Sequence, residues 1–138
     1  VLCRIKRRER LSTFYYVLII YKAYKVFPHL SERLGGCGIR VPVPNGSLSD
    51  LTFMVRNRTT AIEVNELFEK WANTQQNILE VSHEPLVSND ILGNKHSCVV
   101  DAELTSVIGY MIKVVGWYDN EMGYSNRLLD AAQKLKIH

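Results

Sequence analysis

Between Ile78 and Asp119 the chain packs five short β-like runs into one continuous stretch, "ILEVS", "PLVSND", "SCVVD", "LTSVIG" and "MIKVVGWYD". Strands that follow one another with little between them cannot be joined by helical crossovers, so they must pair mainly antiparallel. Gly109-Tyr110 separates the last two runs and reads as a tight hairpin. Upstream, "LSDLTFMVR" from Leu48 to Arg56 alternates apolar and polar positions, imperfectly, as a strand does. Residues 59–76 read instead as an amphipathic helix. Thr60 and Glu63 have the spacing of a capping box, and Val64, Leu67, Phe68 and Trp71 fall at helical intervals. Trp71 is expected in the core, with Glu63, Glu66, Glu69 and Lys70 facing water. A second helical run follows Asp119 to the end. The order strand, helix, several strands, helix predicts an α+β fold, a mostly antiparallel sheet with helices on one face plus a C-terminal helix. No GxGxxG and no P-loop occurs, so no complete Rossmann domain is encoded here.

At 138 residues the chain fits one ordinary domain, and 46% hydrophobic with 22% charged residues suits a soluble globular protein. The net charge of +3 is unevenly spread: the first 25 residues carry seven Lys or Arg against Glu9 alone. The apolar run "FYYVLIIY" in this head is far shorter than the roughly 20 residues a membrane helix needs. Basic residues ahead of it echo a signal peptide, but no small-x-small cleavage site follows. We expect a buried strand or helix segment behind a solvated terminus, with neither membrane nor nucleic acid as partner. Cys3, Cys37 and Cys98 show neither CxxC pairing nor a histidine at metal-ligand spacing, so no metal site is expected. Their sparse, odd number suits a reducing compartment. "HLSERLGGCG" closes the head with a turn. Pro42 and Pro44 then keep "IRVPVPNGS" out of helix, and Asn45-Gly46 can take positive φ cheaply.

Three blocks are more specific. "IRVPVPNGSLSDLT", "EPLVSNDILGNKHSCVVDAELT" and "IKVVGWYDNEMGYSNRLLD" resemble, in order and spacing, the C-terminal catalytic domain of the phosphorylating glyceraldehyde-3-phosphate dehydrogenase family. The resemblance covers residues 25–138, and residues 1–24 look unrelated to the family. It implies an NAD- or NADP-dependent oxidoreductase of glycolysis. Such an enzyme attacks glyceraldehyde 3-phosphate with a cysteine thiolate, passes hydride to the cofactor and releases 1,3-bisphosphoglycerate with inorganic phosphate. It further implies a homotetramer of cytoplasmic or plastid location. Erythrose-4-phosphate dehydrogenases share the same blocks and are an alternative.

By that resemblance Arg40 holds the substrate or inorganic phosphate, for which a guanidinium offers a rigid charged fork. Asn120 positions the nicotinamide carboxamide, since an amide both donates and accepts. Tyr124 lies near the nicotinamide ring. Trp117 and Tyr118 are assigned to packing, and Asn126 and Arg127 to the turn or helix start. The family's Ser-Cys-Thr-Thr-Asn-Cys block is absent, as is its Ser-Thr-Gly-Ala-Ala-Lys-Ala block, where "VLIIYKAY" stands instead. Cys37 and Cys98 match neither and are expected to be small core residues, while His83 and His96 are not the family's base. With no catalytic residue assigned, the chain is expected to be nearly inactive alone. A further alternative is a non-catalytic remnant that binds family subunits.

Overall fold

The computed structural model describes residues 25–30 and 33–135, which fall into two compact units, 1–42 and 43–138. The apolar head and Cys3 lie outside the described residues. Within the first unit, Pro28–Leu30 forms a single 3-10 turn, and the rings of Phe27 and His29 meet edge-on at 6.3 Å. From Leu34 to Pro42 the backbone is irregular. Cys37 is exposed there, not a core residue as expected: a Gly-rich loop with no partner strand gives a thiol nothing to pack against.

The second unit is a four-stranded sheet with two helices. The strands are β1 (Ser47–Met54), β2 (Leu79–Ser82), β3 (Cys98–Ile108) and β4 (Met111–Tyr118), and the helices are α1 (Ala61–Thr74) and α2 (Asn120–Lys134). The sheet order is β1-β4-β3-β2. β4 pairs antiparallel with both β1 and β3, while β2 pairs parallel with β3. The fold is therefore α+β with a mostly antiparallel sheet, as the strand-rich order predicts.

Local chemistry explains most of the element ends. At α1, the Thr60 hydroxyl accepts from the Glu63 N–H at 3.2 Å, and the Glu63 carboxylate accepts from the Thr60 N–H at 2.9 Å. The box expected from the sequence is formed, and it satisfies two backbone donors that a helix start leaves open. The Glu63 carboxyl is held below its usual range, first by the Thr59 hydroxyl and then by the Thr60 N–H. The hairpin between β3 and β4 turns at Gly109, whose φ of +64° suits glycine. Gly46, ahead of β1, has φ of +83°, and a Cβ there would stand 2.9 Å from the Ser88 carbonyl oxygen, so only glycine fits.

The core lies where α1 crosses β2 and β3. Val64 of α1 packs with Val100, Ile112 and Val114, flanked by Phe68, Leu79, Val81 and Cys98. Val99 and Val115 are buried as well. Side chains alternate faces along a strand, so β3 and β4 are covered on both sides at their centre. Cys98 thus joins the core edge as expected, and burial pushes its thiol up.

Three expectations need correction. Trp71 is 55% exposed and Leu67 is exposed beside it. The helix packs mainly on β2 and β3, with Val64 reaching Ile112 and Val114 of β4, and the i, i+4 ridge of Val64 and Phe68 fills that contact without Trp71. "PLVSND" is no strand, because Asp90 folds it into a turn: its carboxylate accepts from the Val87 N–H at 2.8 Å and its own N–H returns to the Val87 carbonyl at 3.0 Å. "SCVVD" and "LTSVIG" are one strand, irregular between Asp101 and Ser106. The buried Asp101 carboxylate serves this irregularity, accepting from the Leu104 N–H at 3.3 Å and from the Trp117 indole at 3.1 Å.

Candidate active site

Strand β4 delivers the chain to Tyr118, and Asp119 turns it into α2. Asp119 is the N-cap, in extended conformation and buried. One carboxylate oxygen accepts from the N–H groups of Glu121 at 3.1 Å and Met122 at 3.0 Å. The other accepts from the Gly93 N–H at 3.0 Å, which ties the helix start to the connection before β3. The Met122 N–H, followed by that of Gly93, holds this carboxyl below its usual range. Two first-turn donors of α2, the N–H groups of Glu121 and Met122, are therefore already taken by an anion belonging to the protein.

One turn later the helix touches backbone. A Cβ on Gly123 would stand 3.1 Å from the His96 carbonyl oxygen and 3.5 Å from Ser97 Cα. Glycine lets α2 sit this close to the connection. Arg127 fastens the next turn. Its guanidinium bonds the Asn77 carbonyl and, at 3.2 Å, the Ser97 hydroxyl, while Nε lies 2.8 Å from Asp130.

These contacts leave an open cleft of about 300 Å³, lined by Ser97, Tyr118, Asp119, Asn120, Gly123, Tyr124 and Arg127. Asn120 and Tyr124 are four apart on α2, so they share one side of it. Both are exposed, and among the described residues no protein group bonds the Asn120 side-chain amide. The structure thus brings two of the three sequence-predicted site residues together. Arg40 belongs to the first unit, where it stands exposed on irregular backbone.

Five liners escaped the sequence reading or were given other work. Tyr118, read as packing, also faces the cleft. Arg127, read as steadying the helix start, instead reaches across to Asn77 and Ser97, and Asn126 bonds within the helix to the Met122 carbonyl at 2.9 Å. Asp119 escaped it too, although an aspartate just before a helical run is the signal of an N-cap. Gly123 and Ser97 carried no local signal, because their role depends on which backbone comes close in space.

Comparison with known proteins settles the family. Residues 21–120 match the family described as glyceraldehyde 3-phosphate dehydrogenase, C-terminal domain. The chain belongs to this family. Arg40 and Asn120 lie inside the matched residues, and Tyr124 lies just beyond them. The chain is 52% identical over 108 residues to glyceraldehyde-3-phosphate dehydrogenase 1 of Streptomyces avermitilis, covering 78% of this chain and 32% of the relative. It is 51% identical to glyceraldehyde-3-phosphate dehydrogenase 2 of Streptomyces arenae, with the same coverage. It is 47% identical over 116 residues to glyceraldehyde-3-phosphate dehydrogenase 2 of Staphylococcus aureus strain MRSA252, covering 83% of this chain and 33% of the relative. The chain thus spans about a third of the length of these curated dehydrogenases.

Proposed function

We propose that this chain forms the nicotinamide side of an NAD(P)-dependent glyceraldehyde-3-phosphate dehydrogenase. The observation that carries the reading is the pair Asn120 and Tyr124, side by side on the rim of the α2 cleft, within a domain of the dehydrogenase family. The residues fit the group. A free primary amide matches a carboxamide donor for acceptor. The tyrosine offers a flat apolar face.

Charge favours the same ligand. Asp119 brings a carboxylate to the cleft wall, and its three N–H donors keep it ionised. Those donors are no longer free for a phosphate, so the helix start does not act as an anion site. Arg127, the cation on the wall, is paired with Asp130. The cleft is thereby better suited to the positively charged ring of an oxidised nicotinamide than to a phosphate. When bound, that ring supplies the hydride acceptor. What this chain contributes is orientation: Asn120 sets the ring's rotation, Tyr124 limits its tilt, and Asp119 holds the turn on which both stand. Arg40 would hold phosphate oxygens of substrate or of inorganic phosphate.

Because no thiol of this chain stands in the family's nucleophile block, the chain alone should not oxidise glyceraldehyde 3-phosphate. The test is a titration of the isotope-labelled chain with NAD+ and NADP+, followed by NMR. We expect the Asn120 side-chain amide and the Tyr124 ring to move, and Asn120→Ala to weaken binding at least about tenfold, the cost of leaving one buried amide partner unmade. Shifts confined to residues away from α2 would sink the reading.

A further inference from the structure

Behind the cleft lies a polar cluster that the proposed cofactor site does not use. The His96 ring is about a quarter exposed, at 27%. Its Nδ1 is 3.0 Å from a Glu80 carboxylate oxygen and 2.9 Å from the Asn94 side-chain oxygen. Its Nε2 is 2.8 Å from the Gln76 carbonyl. Asn94 closes the group, donating to the same Glu80 oxygen at 2.8 Å and accepting from the His96 N–H at 2.9 Å. One ring therefore joins three pieces of chain: the turn after α1, strand β2, and the connection leading into β3.

The other side of the same residue faces the cleft. The His96 carbonyl is the atom against which Gly123 rests. Its neighbour Ser97 lines the cleft and accepts from Arg127. Gly93, three residues earlier, donates to the Asp119 cap. Residues 93–97 are thus the seat of α2, and they form no sheet ladder until Cys98. Backbone bonds hold part of this stretch, Asn94 N–H to the Ile91 carbonyl at 3.0 Å and Ser97 N–H to the Ile78 carbonyl at 2.9 Å, and the side-chain bonds at Gly93, Asn94 and His96 hold the rest.

We propose that His96 is a positioning residue for the cleft: its ring pins residues 93–97 to β2 and to the turn after α1, and so fixes where α2 presents Asn120 and Tyr124. The inference rests on the nicotinamide reading for its functional meaning, though not for its geometry. A displacement of about 1 Å in a supporting element is enough to spoil a reacting alignment, so the seat of this helix matters to any ligand it holds.

The test uses amide hydrogen exchange on the whole chain without ligand, then a titration with NAD+. In His96→Ala we expect exchange at Gly93, Glu121 and Met122 to speed up about tenfold, the loss of two hydrogen bonds, while the β3–β4 ladder stays protected. His96→Asn, which keeps a donor toward Glu80, should recover most of that protection. The NAD+ dissociation constant should rise in parallel in His96→Ala and recover in His96→Asn. Unchanged exchange at Gly93 and Met122 overturns the proposal, as does an equal loss across the β3–β4 ladder in the folded variant. If His96→Ala fails to fold, His96→Asn and Glu80→Gln decide by the same amides: graded loss at Gly93 supports the proposal and unchanged exchange overturns it. If NAD+ does not bind the unaltered chain, the nicotinamide reading falls, while the exchange arm still decides whether His96 seats the helix.

Discussion

Asp119 carries more of the site than either residue that would touch a ligand. A capping side chain replaced by alanine costs about 1 kcal/mol, and here the same carboxylate also holds Gly93. Asp119→Ala should lower the urea midpoint accordingly, with no change in the slope of the transition. The carboxyl is held below its usual range by the Met122 N–H and then the Gly93 N–H, so it favours the folded state whenever it is ionised. Its contribution is complete above the unfolded-state value of about 3.9, and it is lost as pH falls through the lower folded-state value. A comparison of urea midpoints for the unaltered chain and Asp119→Asn should show a gap at neutral pH that closes on acidification. A gap of constant size across that range would show that the cap acts through shape alone. The thiol of Cys98 is the second telling residue. Burial pushes it up, so it should react slowly with an alkylating agent while exposed Cys37 reacts at once.

The pairing of β3 with β4 depends on a small-residue fit. A Cβ on Gly116 would stand 2.6 Å from Cys98 Sγ, a distance no packed pair tolerates. Gly116→Ala should therefore destabilise by about 1 to 3 kcal/mol through overpacking. Cys98→Ala in the same chain should restore much of it, a coupling that a double-mutant cycle reads directly. Independent, additive losses would mean that the strand itself, not the sulfur, demands glycine. Such dependence explains what could be read from sequence. The Thr60–Glu63 box, the Gly109 turn and the alternation of β1 are local, written in residues a few positions apart. Trp71 was misplaced because helical spacing gives an apolar stripe without saying how wide a surface awaits it. "PLVSND" was misread because its apolar pair outweighed Ser88, Asn89 and Asp90, the turn formers beside it. At the site, Asn120 and Tyr124 were legible from family-like text, whereas Ser97 and Gly123 meet only after β3 and α2 are folded together.

Exposed apolar side chains run across the second unit, from Leu51 and Phe53 of β1 through Leu67 and Trp71 of α1 to the last helix. Leu128 and Leu129 of α2 and Leu135 at its C-cap are exposed at 53%, 62% and 72%. Leu128 and Leu135 are seven apart, the spacing of one helix side, and exposed leucines there favour association. Replacing Leu128 and Leu129 by lysine should leave thermal stability within about 0.5 kcal/mol, since surface changes rarely cost more, and should reduce concentration-dependent light scattering. Loss of stability instead would show that these leucines are buried in solution. The order of the strands has a consequence in time. β4 is the strand to which both β1 and β3 attach, yet it follows both of them in the chain. A ribosome releases β1, then α1, β2 and β3, before β1's partner exists. The β3–β4 hairpin closes a short loop and can form quickly, whereas β1 must wait and then close a long one. Until then its edge is open, and the salt bridge of Asp50 with Lys113, 2.8 Å long in the finished sheet, leaves Asp50 as an unpaired charge on the waiting strand. That charge guards an unfinished edge against the strands of neighbouring nascent chains.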